Sequence, residues 1–188
     1  MLQADAILED DRGRTVLRFE RTLRHPPERV WRALTEVDDL RGWHPSPFEL
    51  EPEVGGMVRF LPPDGDAFGD GRVTEYDPPR ALAYTWGEDE LRFELRDHDD
   101  GCLLVLTHTF DDHFKAARDA AGWTICLANL ERALAGQPAD TGAGGGSAEP
   151  PPEWQELNAE YQRRFGIPPE KATPVPGQAP EAYHERTE

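Results

Sequence analysis

The stretch from residue 57 to residue 110 is the feature that most restricts the fold. Apolar and polar side chains alternate in it as they do in strands with one buried face, and they predict five strands: 57–61, 69–77, 81–86, 91–97 and 102–110. Short segments rich in proline, glycine and aspartate separate the strands. Connections this short join antiparallel neighbours, so the pattern predicts one antiparallel sheet. The last strand is apolar on both faces at first and is predicted to be central.

A long helix is predicted to follow the strands. From Asp112 to Ala135 the chain contains no proline, an aspartate can cap the first turn, and Gly136 ends the pattern. Two neighbouring apolar stripes run along this helix, one of Trp123, Leu127, Leu130 and Leu134, the other of Phe114, Ala117, Ala121, Ile125 and Ala128. A helix with so wide an apolar face must lie across a large partner, and the sheet is the only one available.

The residues before the sheet predict a strand and a short helix. Residues 14–23 place Leu17, Phe19 and Leu23 on one face of a strand, and a helix begins near Pro27. A proline-rich loop with a brief strand near Phe48 follows. The fold class is therefore predicted as α+β of the helix-grip type, a curved antiparallel sheet wrapped around a long C-terminal helix, with short helices after the first strand.

The composition divides the chain into segments. We expect an N-terminal arm (1–13), the helix-grip domain (14–136), a linker rich in glycine and proline (137–152), an amphipathic helix (153–166) and a disordered tail (167–188). The amphipathic helix carries an apolar stripe of Trp154, Leu157, Tyr161 and Phe165. This helix is predicted to dock on the domain.

Charge and cysteine content restrict the partners and cofactors. The chain has 37 acidic and 20 basic residues, a formal net charge of -17, which opposes binding to nucleic acid or to an anionic membrane surface. It shows no secretory signal pattern and no stretch of membrane-spanning length, so a cytoplasmic location is expected. Cys102 and Cys126 lack the spacing of a zinc site or a disulfide framework. We expect reduced thiols, no metal and no cofactor, in a monomer or homodimer.

Several motifs together resemble the activator of Hsp90 ATPase homologue 1-like family, within the superfamily of START-like, polyketide-cyclase and Bet v 1-like proteins. They span residues 14–135 and comprise 21–35, Trp43 with Pro45, 53–56, 71–79, 82–86 and 103–108. The resemblance implies the helix-grip fold. It implies no shared active site, since members include lipid or polyketide binders, cyclases and stress-associated proteins.

Candidate ligand contacts lie on the elements that a helix-grip fold arranges around a cavity. They are Trp43, His44, Phe60, Tyr84, Trp86, Phe93, His108, Trp123 and Leu127. The aromatic rings among them can equally fill the core. His108 shares a strand face with Leu104, Leu106 and Phe110, which admits a buried polar contact or a proton-transfer role. Glu75 and Arg72 are further polar residues that could point inward.

Three functions are compatible with these residues. The first is non-catalytic binding of a small apolar or amphipathic molecule between sheet and long helix. The second is a cyclase or dehydratase acting on a polyketide-like substrate, which needs a buried acid or base with a shifted pKa. The third is a stress-response or chaperone-associated interaction module that binds a protein partner through the C-terminal helix, for which that helix must expose its apolar stripe.

Overall fold

The computed structural model describes residues 2–61, 70–138 and 150–174, and the predicted α+β helix-grip fold is confirmed within them. The strands are β1 (Ile7–Asp11), β2 (Arg14–Leu23), β3 (Phe48–Leu50), β4 (Met57–Phe60), β5 (Asp70–Asp77), β6 (Ala81–Trp86), β7 (Asp89–His98) and β8 (Gly101–Phe110). The helices are α1 (Pro27–Thr35), α2 (Val37–Leu40), α3 (Ala116–Leu134) and α4 (Pro152–Phe165). Within the described ranges, no helix combines the length and the hydropathy needed to cross a membrane.

The strands form one open antiparallel sheet in the order β1-β2-β8-β7-β6-β5-β4-β3. The predicted central strand, β8, lies between β2 and β7. Residues opposite each other in antiparallel strands share a face, and the register places one buried row on the inner face: Leu17, His108, Leu91, Tyr84 and Val73. This row is the surface that the long helix covers.

The long helix begins later than its sequence pattern suggested. A 3-10 turn over His113–Lys115 precedes α3, and Asp112 caps it, since its Oδ1 accepts a hydrogen bond from the backbone N–H of Phe114 at 3.0 Å. The first predicted stripe is buried, with Trp123, Leu127, Leu130 and Leu134 each at most 7% exposed. Phe114 lies in the turn rather than in α3 and is 40% exposed, so it does not continue the second stripe.

The N-terminal segment contains β1, an edge strand that the sequence pattern did not predict. Arg12 and Gly13 connect β1 to β2, with φ angles of 55° and 88°. Positive φ at both positions is the conformation of a two-residue type I′ hairpin, for which glycine is well suited. Most residues of β1 are exposed, so no apolar alternation marks it in the sequence.

The amphipathic C-terminal helix, α4, packs against α3. The sequence pattern predicted that this helix docks on the domain but did not say which element it contacts. Its apolar stripe faces inward: Leu157 and Tyr161 are buried, and Trp154 and Phe165 pack against the core. The segment after α4 also packs, since Ile167 is only 3% exposed. Residues 139–149 of the expected linker and 175–188 of the expected tail lie outside the described residues.

The hydroxyl of Tyr161 joins three parts of the chain. It accepts hydrogen bonds from the backbone N–H groups of Asp5 and Ala6, both at 3.1 Å. It also lies 2.8 Å from the hydroxyl of Thr124, which itself donates to the Ala120 carbonyl of α3. Since the Thr124 proton is used there, the Tyr161 hydroxyl donates to Thr124. This single oxygen thus links α4, α3 and the N-terminal segment.

We predict that Tyr161→Phe lowers the free energy of unfolding by about 1–3 kcal/mol, because it leaves buried backbone donors without an acceptor. Chemical denaturation of the full chain measures the change. The matched control is Tyr76→Phe, which removes the hydroxyl of a half-buried tyrosine whose ring contacts Trp31. Equal losses in the two variants would contradict the role given to the Tyr161 hydroxyl.

Candidate functional site

Aromatic side chains from several elements meet between the sheet and α3. The ring cluster, as we call it, consists of Trp43, His44, Phe48, Phe60, Tyr84, Trp86, Phe93 and Trp123. Neighbouring ring centroids lie 4.8 to 6.3 Å apart, which is the range of favourable aromatic contact. All but Phe48 were candidate ligand contacts. Phe48 was expected only as part of a brief strand. The proline-rich loop around it has no periodicity that predicts which way its side chain points.

The ring cluster reaches the protein surface at Trp86. Its other rings are each at most 5% exposed, whereas Trp86, near the end of β6, is half-buried. Trp86 stacks on Phe60 with a centroid distance of 5.2 Å and an interplanar angle of 20°. It also lies 5.7 Å from the His44 ring. A continuous set of aromatic contacts therefore runs from the surface into the interior.

His44 is held in the cluster by hydrogen bonds on both ring nitrogens. Its Nδ1 lies 2.7 Å from the backbone oxygen of Ser46, and its Nε2 lies 3.0 Å from the hydroxyl of Tyr84. The backbone nitrogen of Ser46 also lies 3.1 Å from Nδ1, and Nε2 and the Tyr84 hydroxyl share one hydrogen, so the tautomer of His44 decides which of the two donates. The neighbouring Trp43 is fixed as well, because its indole N–H donates to the Ala33 carbonyl of α1 at 2.8 Å.

Burial keeps both members of this pair uncharged. Burial lowers the pKa of His44 from 6.5 to about 3, and the hydrogen bond to Ser46 opposes this only in part. Burial also raises the pKa of Tyr84 well above 10.0. Proton transfer is efficient when the pKa of the group lies near the working pH. His44 and Tyr84 are therefore poorly matched to acid–base catalysis at neutral pH.

The cysteines are no better suited to chemistry. Cys102 and Cys126 are free and buried. Burial raises the pKa of the Cys102 thiol to about 11 and that of the Cys126 thiol to about 12. The thiolate is the nucleophilic form, so both side chains are unreactive at neutral pH.

His108 uses both of its ring nitrogens within the protein. The indole N–H of Trp123 donates to its Nδ1 at 3.1 Å, and its Nε2 donates to Asp89 Oδ2 at 2.8 Å. The Lys115 ammonium also donates to Asp89. Burial raises the pKa of Asp89, but the hydrogen bonds from His108 and Lys115 outweigh it, and the pKa is lowered. His108 thus orients the Trp123 ring and has no nitrogen left for a ligand.

Three of the described side chains have the spacing of metal ligands. One ligand atom each from Asp89, His108 and Asp119 lies within 4.8 Å of the others. Lys115 supplies positive charge at the same place, since its ammonium bonds Asp89 and lies 3.8 Å from Asp119. The carboxylates are therefore neutralised by the protein itself, and the geometry gives no reason to propose a metal.

The remaining sequence candidates lie elsewhere. Leu127 is fully buried in α3, four residues after Trp123. Arg72 is exposed, and Glu75 forms an ion pair with Arg92 at 2.7 Å. Regular alternation along β5 would put Glu75 on the inner face with Val73, but the register of β5 against β6 shifts between these residues, so the expectation that Glu75 points inward is wrong. The bulge turns Glu75 to the outer face.

Solved structures of similar fold include proteins from three bacteria. One is the conserved protein of unknown function EF2215 from Enterococcus faecalis, with 24% identity, 86% of this chain and 91% of that chain covered, and a TM-score of 0.68. The protein encoded by BPP1335 from Bordetella parapertussis has 28% identity, coverage of 88% and 94%, and a TM-score of 0.58. CalU16 from Micromonospora echinospora has 18% identity, coverage of 86% and 95%, and a TM-score of 0.59. No curated protein matches the chain.

The fold defines the class of protein. A curved antiparallel sheet with a long helix across its inner face is a START-like domain of the ligand-binding type. Residues 24–135, more than half of the chain, match the family described as activator of Hsp90 ATPase homolog 1-like protein. The chain belongs to this family, and the resemblance found in its sequence motifs is confirmed.

We predict that burial of neutral His44 makes the protein less stable in acid. Between pH 6.5 and about 3 the unfolded chain binds a proton at this residue that the folded chain does not, so stability falls as the pH is lowered. From pH 8 to pH 5 this amounts to about 2 kcal/mol. In His44→Gln, the loss of unfolding free energy between these pH values should be smaller by that amount.

Chemical denaturation at both pH values measures this difference. His113→Gln, which removes an exposed imidazole, is the matched control. Equal losses of stability on acidification in His44→Gln and in the wild type would contradict the claim that His44 is buried in its neutral form.

Proposed function

We propose that the chain binds one small apolar or amphipathic molecule, without catalysis, between the sheet and α3. The fold class supports this, because START-like domains are of the ligand-binding type. The ring cluster supports it further, since ligand sites are lined mostly by apolar and aromatic side chains with few polar groups. Binding energy in such a site comes from contact with large, rigid rings.

The half-buried Trp86 is the observation that carries this proposal. A half-buried indole stacked on Phe60 offers partly exposed apolar surface at the end of the cluster. The buried rings already contact one another, so the ligand lies against the Trp86 end rather than at the centre. Trp86, Phe60 and His44 are its first contacts in this proposal.

The electrostatics favour binding over catalysis. Among the described residues, the polar pairs next to the rings include His44 with Tyr84, which is buried, and His108 with Asp89, which is part-buried. The first has pKa values far from neutrality, and the second is occupied by protein partners on both histidine nitrogens. Neither offers the poised acid or base that a cyclase or dehydratase needs.

The packing of α4 also weighs against the third function. An interaction module that uses the C-terminal helix needs an exposed apolar stripe. Leu157 and Tyr161 of that stripe are buried against α3 and the N-terminal segment. We therefore do not propose α4 as a surface for a protein partner.

We predict that 1-aminoanthracene, an uncharged fluorescent probe, binds the full chain with a stoichiometry of one. Trp86→Ala should weaken binding about five- to tenfold, because the mutation removes an aromatic contact. Trp154→Ala is the matched control, since Trp154 is also a half-buried tryptophan but lies on α4. Fluorescence titration gives the dissociation constants.

Absence of saturable binding, or equal effects of the two tryptophan substitutions, would count against a ligand site at the ring cluster. Thermal melts of both variants establish that they fold.

A further inference from the structure

Ser46 carries a buried hydroxyl that no other described residue bonds. The residue is 6% exposed, and its Oγ has no hydrogen-bond partner within the part of the chain that the structure describes. Buried polar side-chain atoms nearly always have a partner, because an unpaired one loses its hydration without compensation. The unpaired Ser46 hydroxyl at the edge of the ring cluster therefore indicates that a group outside the described residues bonds it.

The backbone around Ser46 holds the hydroxyl in this buried position. Its backbone oxygen and nitrogen lie 2.7 and 3.1 Å from His44 Nδ1, and the next carbonyl, that of Pro47, accepts a hydrogen bond from the backbone N–H of Leu61 at 2.7 Å. Pro45 and Pro47 restrict the backbone on both sides. The side chain therefore does not reach water by a small movement of a loose loop.

The neighbouring groups define what the hydroxyl can bind. The Tyr84 hydroxyl is bonded to His44 Nε2, whereas the O–H of Ser46 has no acceptor among the described residues. The nearby imidazole is neutral, because burial lowers the pKa of His44 to about 3. Among the described residues, the cation–π contacts of arginine and lysine involve Phe110, Phe114 and Tyr161 and no ring of the cluster, so a carboxylate held among these rings would have no such cation beside it.

We propose that Ser46 is the specificity-determining polar contact of the ligand site, and that its hydroxyl donates to the carbonyl oxygen of an uncharged ligand whose apolar part lies on the ring cluster. This inference rests on the proposed function and adds the chemical class of the ligand. A site built to hydrogen-bond a ligand discriminates strongly against the analogue that lacks the bonding atom.

Three probes of one shape test the proposal on the full chain by isothermal titration calorimetry. They are 2-acetylnaphthalene, which has the carbonyl, 2-ethylnaphthalene, which lacks it, and 2-naphthoate, which is charged. We expect the wild type to bind the ketone on the order of tenfold tighter than the hydrocarbon, as for one additional hydrogen bond, and the carboxylate weakest. In Ser46→Ala the ketone and the hydrocarbon should bind about equally, because the hydrocarbon keeps its wild-type affinity and the ketone loses its hydrogen bond.

Two further measurements keep the proposal falsifiable. Thr22→Val removes an exposed hydroxyl from β2 and should preserve the preference for the ketone. Without ligand, Ser46→Ala should keep the wild-type unfolding midpoint, because the hydroxyl has no bond to lose; a lowered midpoint would assign it a structural role and overturn the proposal.

The outcomes also separate this inference from the proposed function. Equal binding of ketone and hydrocarbon by the wild type overturns the role of Ser46 while ligand binding stands. Tightest binding of 2-naphthoate overturns the uncharged class of ligand. Failure of all three probes to bind contradicts the proposed function and this inference together.

Discussion

Covering the inner face of the sheet is the constraint on which the rest of the structure depends. The strand register places Leu17, Leu91 and Tyr84 in one buried row, and α3 removes that row from water. At roughly 25 cal/mol per Å² of apolar surface, burial of this kind is the main favourable term in folding. The segment after the short helices brings Trp43, His44 and Phe48 to the ring cluster, and α4 packs against α3.

The two buried histidines of this core are hydrogen-bonded in ways that fix the rings. His44 is bonded to Tyr84, and His108 is bonded to Trp123, so each histidine orients an aromatic partner. Charged groups meet near the end of the sheet, where Lys115 balances Asp89 and Asp119. The interior around the ring cluster is therefore neutral and apolar. That environment is suited to holding an uncharged molecule and poorly suited to moving protons.

The sequence predicted the sheet and the long helix well, because alternation and turn residues report burial directly. It failed at β1, where an exposed strand leaves no alternation and the turn residues are Arg12 and Gly13. It failed at Glu75, where a bulge reverses the face that parity assigns. The candidate rings were found, but not the role of His108, because its partners Asp89 and Trp123 come from distant positions in the chain. Such pairings depend on tertiary geometry that no local pattern records.

Native mass spectrometry of the protein purified from its own host, followed by extraction of the denatured protein, tests the central claim most directly. We expect one small, uncharged, largely apolar molecule per chain, released on denaturation. Protein that is free of any bound small molecule in repeated preparations, with no thermal shift from a panel of lipids and polyketides, would contradict it.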